Sequence, residues 1–168
     1  QDLNQVMAGY LQGRCSAMTS DRSQLAAARS SFKNPKNHII LDDILSKEPL
    51  APGSDGSDQQ LADAMRWVIF ALINAEEKGI TQSNIENQVE LAKSDPKLKS
   101  LRRFLGIDGG LGEKIGLSND FVVKVISSTG NYAEIYERHL GQNSDVPIPR
   151  GLNELYNKGG VHISPPFN

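Results

Sequence analysis

Apolar residues recur at steps of three and four along most of this chain. Leu3, Val6, Met7, Tyr10 and Leu11 predict a first helix. Gly13 can take the left-handed conformation that stops it. Residues 15–19 are short, mostly small or apolar, and read as a buried strand. Ser20 and Asp21 then open an Ala-rich helix that runs to about Phe32; both are favourable N-cap residues. Pro35 places a turn at residues 34–37. The run His38-Ile39-Ile40-Leu41 predicts a second buried strand, interrupted by Asp42-Asp43 and resumed by Ile44-Leu45. Residues 46–58 change character. Pro49, Pro52, Gly53 and Gly56 break regular structure and mark the best boundary in the sequence, with residues 47–52 expected to be extended.

The strongest helical pattern spans residues 58–78. Leu61, Met65, Val68, Ile69, Leu72 and Ile73 mark one face, and residues 67–73 are apolar without a break, which predicts burial on several sides. Asp58 and Asp63 suit its positive end, and Lys78-Gly79 closes it. Shorter helices follow over 82–93 and 97–105. A glycine-rich loop is expected from 106 to 116. Ser118 is placed to cap a helix carrying Phe121, Val122, Val125 and Ile126. Asn131 opens another, with Glu134 three residues on at capping-box spacing. Leu152, Leu155 and Tyr156 predict a last short helix, and residues 161–168 an extended tail. The balance is about eight helical pieces against two or three strands, an α/β but helix-rich fold whose strands are too few to form a covered sheet.

Composition narrows the function classes. With 168 residues the chain permits one domain or two small lobes, and 38% hydrophobic residues suffice for a core. Lys and Arg number 18 against 20 Asp and Glu, a net charge of -2, with no basic stripe for nucleic acid. No apolar run approaches the roughly 18 residues of a membrane span. No secretory leader is visible, as expected of a mature, trimmed or cytoplasmic chain. The single cysteine, Cys15, has no partner in this sequence and reads as a small buried hydrophobe.

Asp21 carries the main chemical ambiguity. Its carboxylate either caps the helix that begins beside it or faces a cleft and pairs with a ligand's ammonium group. The roles are compatible, because a carboxylate offers about four lone-pair sites, and strand-to-helix edges are where α/β sheets bind ligands. Enzyme chemistry finds no support. His38, His139 and His162 lack metal-ligand spacing, and no second cysteine accompanies them. Gly109-Gly110-Leu111-Gly112-Glu113-Lys114 lacks the Gly-Lys-Ser/Thr of a phosphate loop and reads as a flexible connection. Asp42-Asp43 and Glu76-Glu77 are sequence neighbours whose side chains diverge, fitting solvation or salt bridges better than acid–base work. Trp67 and Phe70 read as core. No cofactor or metal is expected.

Several long segments carry a family likeness: GRCSAMTSDRSQLAAARS at 13–30, NPKNHIILDDILSKEPLAP at 34–52, RWVIFALINAEEKGIT at 66–81, IGLSNDFVVKVISSTGNYAEIYERHLG at 115–141 and IPRGLNELYNKGGVHISPPF at 148–167. Together they resemble the polar amino-acid-binding proteins of bacterial ABC importers, the family-3 solute-binding proteins, and most closely the general L-amino-acid-binding subgroup. Members of that family are about twice as long, with two α/β lobes closing on a free amino acid.

The resemblance implies part of a type II periplasmic-binding-protein fold. Residues 1–45 would be the end of the second lobe, 46–52 the hinge crossing, and 53–168 the C-terminal part of the first lobe with a helical extension and tail. It implies a periplasmic, non-enzymatic protein whose partners are an L-amino acid, an inner-membrane ABC permease, and a missing N-terminal half or a second copy of the chain. Asp21 in TSDRSQL matches the aspartate that binds the ligand's α-amino group, with Thr19 and Ser20 as neighbours. In the subgroup a cysteine at the position of Cys15 pairs with an earlier one, absent here. The arginine that grips the α-carboxylate lies in the absent half. A different expectation also stands: a helix-rich fragment that binds no ligand and serves as an assembly or interaction module.

Overall fold

A computed structural model of the chain describes residues 2–46 and 49–167. The chain divides into a first compact unit, Gln1–Leu50 with His139–Pro149, and a second, Ala51–Arg138 with Arg150–Asn168.

In the first unit, α1 (Leu3–Leu11) starts at Asp2, whose side chain accepts from the Asn4 amide. Gly13 ends it at φ 73°, with Gly13 N–H donating to the Tyr10 carbonyl and Arg14 N–H to the Gly9 carbonyl. This crossed pair satisfies carbonyls that the last turn leaves open. Then comes α2 (Arg22–Ser31), followed by a 3-10 turn at Pro35–Asn37. Tyr10, Phe32 and His38 form a small aromatic cluster, and the Tyr10 hydroxyl lies 2.7 Å from His38 Nδ1.

The two predicted strands do not form. Residues 15–19 and 38–41 have no ladder partner, and among the described residues the one β pairing is an isolated parallel bridge between Leu155 and His162. A strand exists through its neighbour's backbone, and among the described residues none pairs with either segment. Burial fails with it: Ile39 is 81% exposed and Leu41 67%. Cys15 is exposed as well, contrary to its reading as a buried hydrophobe. Lys47 and Glu48 lie outside the described residues; residues 49–52 carry neither helix nor strand.

The second unit holds the core. Its spine is α3 (Gln59–Glu77), 19 residues and about 28 Å long. The Asp58 carboxylate accepts from the Leu61 N–H at 2.9 Å, and Gly79 closes the helix at φ 67° with Ile80 N–H reaching the Ala75 carbonyl. Burial concentrates at the C-terminal end, on Ala71, Ile73, Asn74, Ala75 and Glu76, whereas Leu61 is exposed. Against α3 packs α7 (Phe121–Thr129), against α7 packs α4 (Ile85–Ser94), and against α4 packs α5 (Lys99–Phe104), joined in one apolar cluster around Ile80, Ile85, Phe104, Leu105, Val122 and Ile126.

Three local readings change. The stretch 106–116 contains a short helix, α6 (Leu111–Lys114), and is not a plain loop. Its glycines serve backbone approach: a Cβ on Gly106 would collide with the Asn119 carbonyl, and one on Gly112 with that of Ser118. The N-cap of α7 is Asp120, while the Ser118 hydroxyl accepts from Lys124 Nζ. The last predicted helix is two 3-10 turns, Gly151–Asn153 and Tyr156–Lys158.

The capping box at α8 (Tyr132–Leu140) is present. Asn131 N–H donates to Glu134 Oε2 at 2.8 Å, and Glu134 N–H donates to Asn131 Oδ1 at 2.9 Å. The same two side chains reach further: Asn131 Nδ2 donates to the buried Ile80 carbonyl, and Glu134 accepts from the Gln82 N–H. Residues 161–167 carry neither helix nor ladder strand, yet they are anchored. Phe167 is only 7% exposed and meets Trp67, Phe104 and Phe121 at centroid separations of 5.1, 5.0 and 6.5 Å.

Candidate functional site

The predicted ligand residues sit together where the irregular segment after Gly13 runs into α2. Asp21 occupies the N-cap position, with φ -54° and ψ 140°, and its carbonyl accepts the first helical bond from the Leu25 N–H. Its side chain makes no cap bond. The capping role expected of this carboxylate is therefore not what holds it; the preceding residue engages the helix instead, Ser20 Oγ donating to Gln24 Oε1 at 2.6 Å. Asp21 is half-buried, and Thr19 and Ser20 are exposed. The adjacent Arg22 turns to Asp42 at 3.5 Å, a solvent-exposed contact of the kind worth little energetically.

A carboxylate left open at the positive end of a helix retains acceptor capacity for a cationic donor, and a charge-assisted N–H···O bond is about twice as strong as a neutral one. Two surface cavities do not include these residues. One, about 410 Å³, is lined by Arg29, Pro35, Lys36, His38, Ile39 and Ile40; the other, about 420 Å³, lies between α3, α5 and the tail and includes Asn74, Lys78, Ser100 and Phe104. Among the described residues no three His, Cys, Asp or Glu side chains gather as a metal site.

A polar cluster in the second unit is invisible in the sequence pattern. Arg150 donates to both oxygens of Glu76 at 2.8 and 3.0 Å and to the Asn153 carbonyl at 2.7 Å. Glu76, read from sequence as solvated or salt-bridged, is buried in that bridge, its side chain 4% exposed. The Arg150 guanidinium also lies 5.6 Å from the Tyr132 ring centre and 5.5 Å from that of Tyr136. Burial works against its charge, but the bonds to Glu76 outweigh this and hold its pKa above the ordinary value. Burial raises the Tyr132 phenol. His162 packs edge-on against Tyr132 at 4.4 Å, and burial, followed by the nearby Arg150 charge, lowers its pKa. Glu76 and Arg150 are 74 positions apart, so no local spacing could pair them.

No protein-family model matches the chain. It is 46% identical over 168 residues to the general L-amino acid-binding periplasmic protein AapJ of Rhizobium johnstonii, covering 99% of this chain and 48% of that protein. It is 40% identical over 158 residues to the glutamate/glutamine/aspartate/asparagine-binding protein BztA of Rhodobacter capsulatus, covering 94% of this chain and 46% of the relative. The fold matches an ABC transporter periplasmic binding protein from Brucella ovis, solved with glutathione bound, at a TM-score of 0.88 and 42% identity, covering 99% of this chain and 51% of that one. The chain thus spans about half the length of the relatives it matches. These relatives are solute-binding proteins of the periplasm, not enzymes. By sequence and by fold alike, this chain is homologous to the periplasmic amino-acid-binding proteins of ABC transporters.

Proposed function

We propose that this chain is part of the substrate-binding component of an amino-acid ABC importer, which captures a free L-amino acid in the periplasm and delivers it to an inner-membrane permease. The observation that carries the reading is the half-buried Asp21 carboxylate, which starts α2 without capping it. In this reading Asp21 accepts from the ligand's α-ammonium group, flanked by Thr19 and Ser20. Residues 1–45 belong to the second lobe, 46–52 cross the hinge, and 53–168 belong to the first lobe. The rest of both lobes comes from an N-terminal half or from a second copy of the chain.

Calorimetric titration of the chain with a panel of L-amino acids, beside Asp21→Ala, tests this. Losing a charged anchor costs on the order of 2–5 kcal/mol, roughly thirty-fold to several thousand-fold in affinity. Saturable binding that survives Asp21→Ala unchanged refutes the assignment. A second reading has its own support, since Ile39, Leu41, Ile44, Leu45 and Leu50 are all exposed. An interaction module predicts no binding to any amino acid and a concentration-dependent dimer by light scattering.

A further inference from the structure

The C-terminal tail is held at two points. Around His162 the chain is tied by backbone bonds: Tyr156 N–H donates to the His162 carbonyl at 2.9 Å, and His162 N–H donates to the Glu154 carbonyl at 3.1 Å. Five residues on, Phe167 is inserted among Trp67, Phe104 and Phe121. We propose that residues 161–167 form a proton-released latch: neutral His162 holds the tail closed, and protonation of its imidazole frees the tail and withdraws Phe167 from the core.

The geometry makes the two protonation states unequal. His162 Nδ1 is buried with no hydrogen-bond partner. In the neutral ring that nitrogen can be a bare acceptor, which is tolerable. In the imidazolium both nitrogens carry protons, so Nδ1 would become a buried charged donor with no hydrogen-bonded acceptor in the closed geometry, which is far more costly. The groups facing the ring come from each neighbouring element: Tyr132 on α8, Glu76 on α3, and Arg150 and Glu154 from the turn region. Glu76 and Glu154 favour the imidazolium, but Arg150 engages both, at 2.8 and 3.6 Å, and itself repels a second cation. The latch therefore stays closed above the ordinary histidine range, near pH 6.5, and opens as the pH falls below it.

The single tryptophan reports the event, because Trp67 stands edge-on to Phe167. The whole chain is titrated from pH 8 to pH 5, following Trp67 emission and the far-ultraviolet helix signal, beside H162Q. The expected result is a reversible red shift in emission with the helix signal constant, absent from H162Q over the same range. Amide hydrogen exchange, corrected for intrinsic rates, is measured in parallel and decides the matter should H162Q fold poorly. Accelerated exchange confined to residues 156–167 supports the latch, and even acceleration across α3 and the tail overturns it. No emission change in the wild type, or the same transition in H162Q, also overturns it.

Discussion

Phe167→Ala removes the ring that closes the aromatic cluster of the second unit. That ring is 7% exposed and contacts three others. Truncating a buried phenylalanine to alanine costs about 3–5 kcal/mol in lost transfer energy and residual cavity. Urea unfolding at pH 8, read by Trp67 emission, gives the comparison. With a slope of about 2 kcal/mol per molar, a loss of about 4 kcal/mol lowers the midpoint by about 2 M at unchanged slope. Val161→Ala is the control on the same tail: its side chain is 63% exposed, and surface changes of this kind stay within about 0.5 kcal/mol. A midpoint shift below about 0.5 M for Phe167→Ala would mean that the cluster closes without the tail and that the packing argument is wrong.

Capping separates two aspartates at helix starts. Asp58→Ala should lower stability by about 1 kcal/mol, since it loses the Leu61 bond, whereas Asp21→Ala should leave thermal stability nearly unchanged because its side chain makes no cap bond. Two left-handed glycines should differ as well. Gly79→Ala meets open space and should cost about 1–2 kcal/mol by calorimetry, while Gly106→Ala adds a backbone collision with Asn119 and should cost clearly more. Removing one partner of the buried bridge by Glu76→Gln or Arg150→Met should destabilise by about 3–5 kcal/mol, and the double variant by less than the sum, as a double-mutant cycle in urea will show. Asp108 is held below the usual carboxylate range, chiefly by its hydrogen bond from Arg102. Its contribution is present above about pH 3.9 and lost as the pH falls below that, so Asp108→Asn should flatten the acid limb of the stability profile.

Helices and strands were not equally legible in the sequence. The positions of α1, α3 and α8 could be read because a helix satisfies its own backbone: the apolar spacing, the glycines at 13 and 79, and the Asn131–Glu134 pair are all local signals. The segments at 15–19 and 38–41 have the composition of strands, but pairing is a property of two segments, and among the described residues none pairs with them. The short α6 was hidden because a four-residue helix with a glycine inside it leaves no period to detect. At the candidate site, the placement of Asp21 at the start of α2 was legible from Ser20-Asp21, but the diversion of the Ser20 hydroxyl to Gln24 was not, since either residue could have capped. The Arg150–Glu76 bridge and the insertion of Phe167 depend on tertiary closure and leave no trace in local spacing.

The amide of Asn131 is gripped at both ends, by an incoming N–H on its oxygen and a carbonyl facing its nitrogen. Aspartate has almost the same shape but reverses the polarity of one end, so conversion at this position would set two oxygens against each other inside the protein. Hydrolysis of that amide to aspartate would therefore act here as a wedge between the end of α3 and the start of α8, although the contour of the side chain stays almost the same.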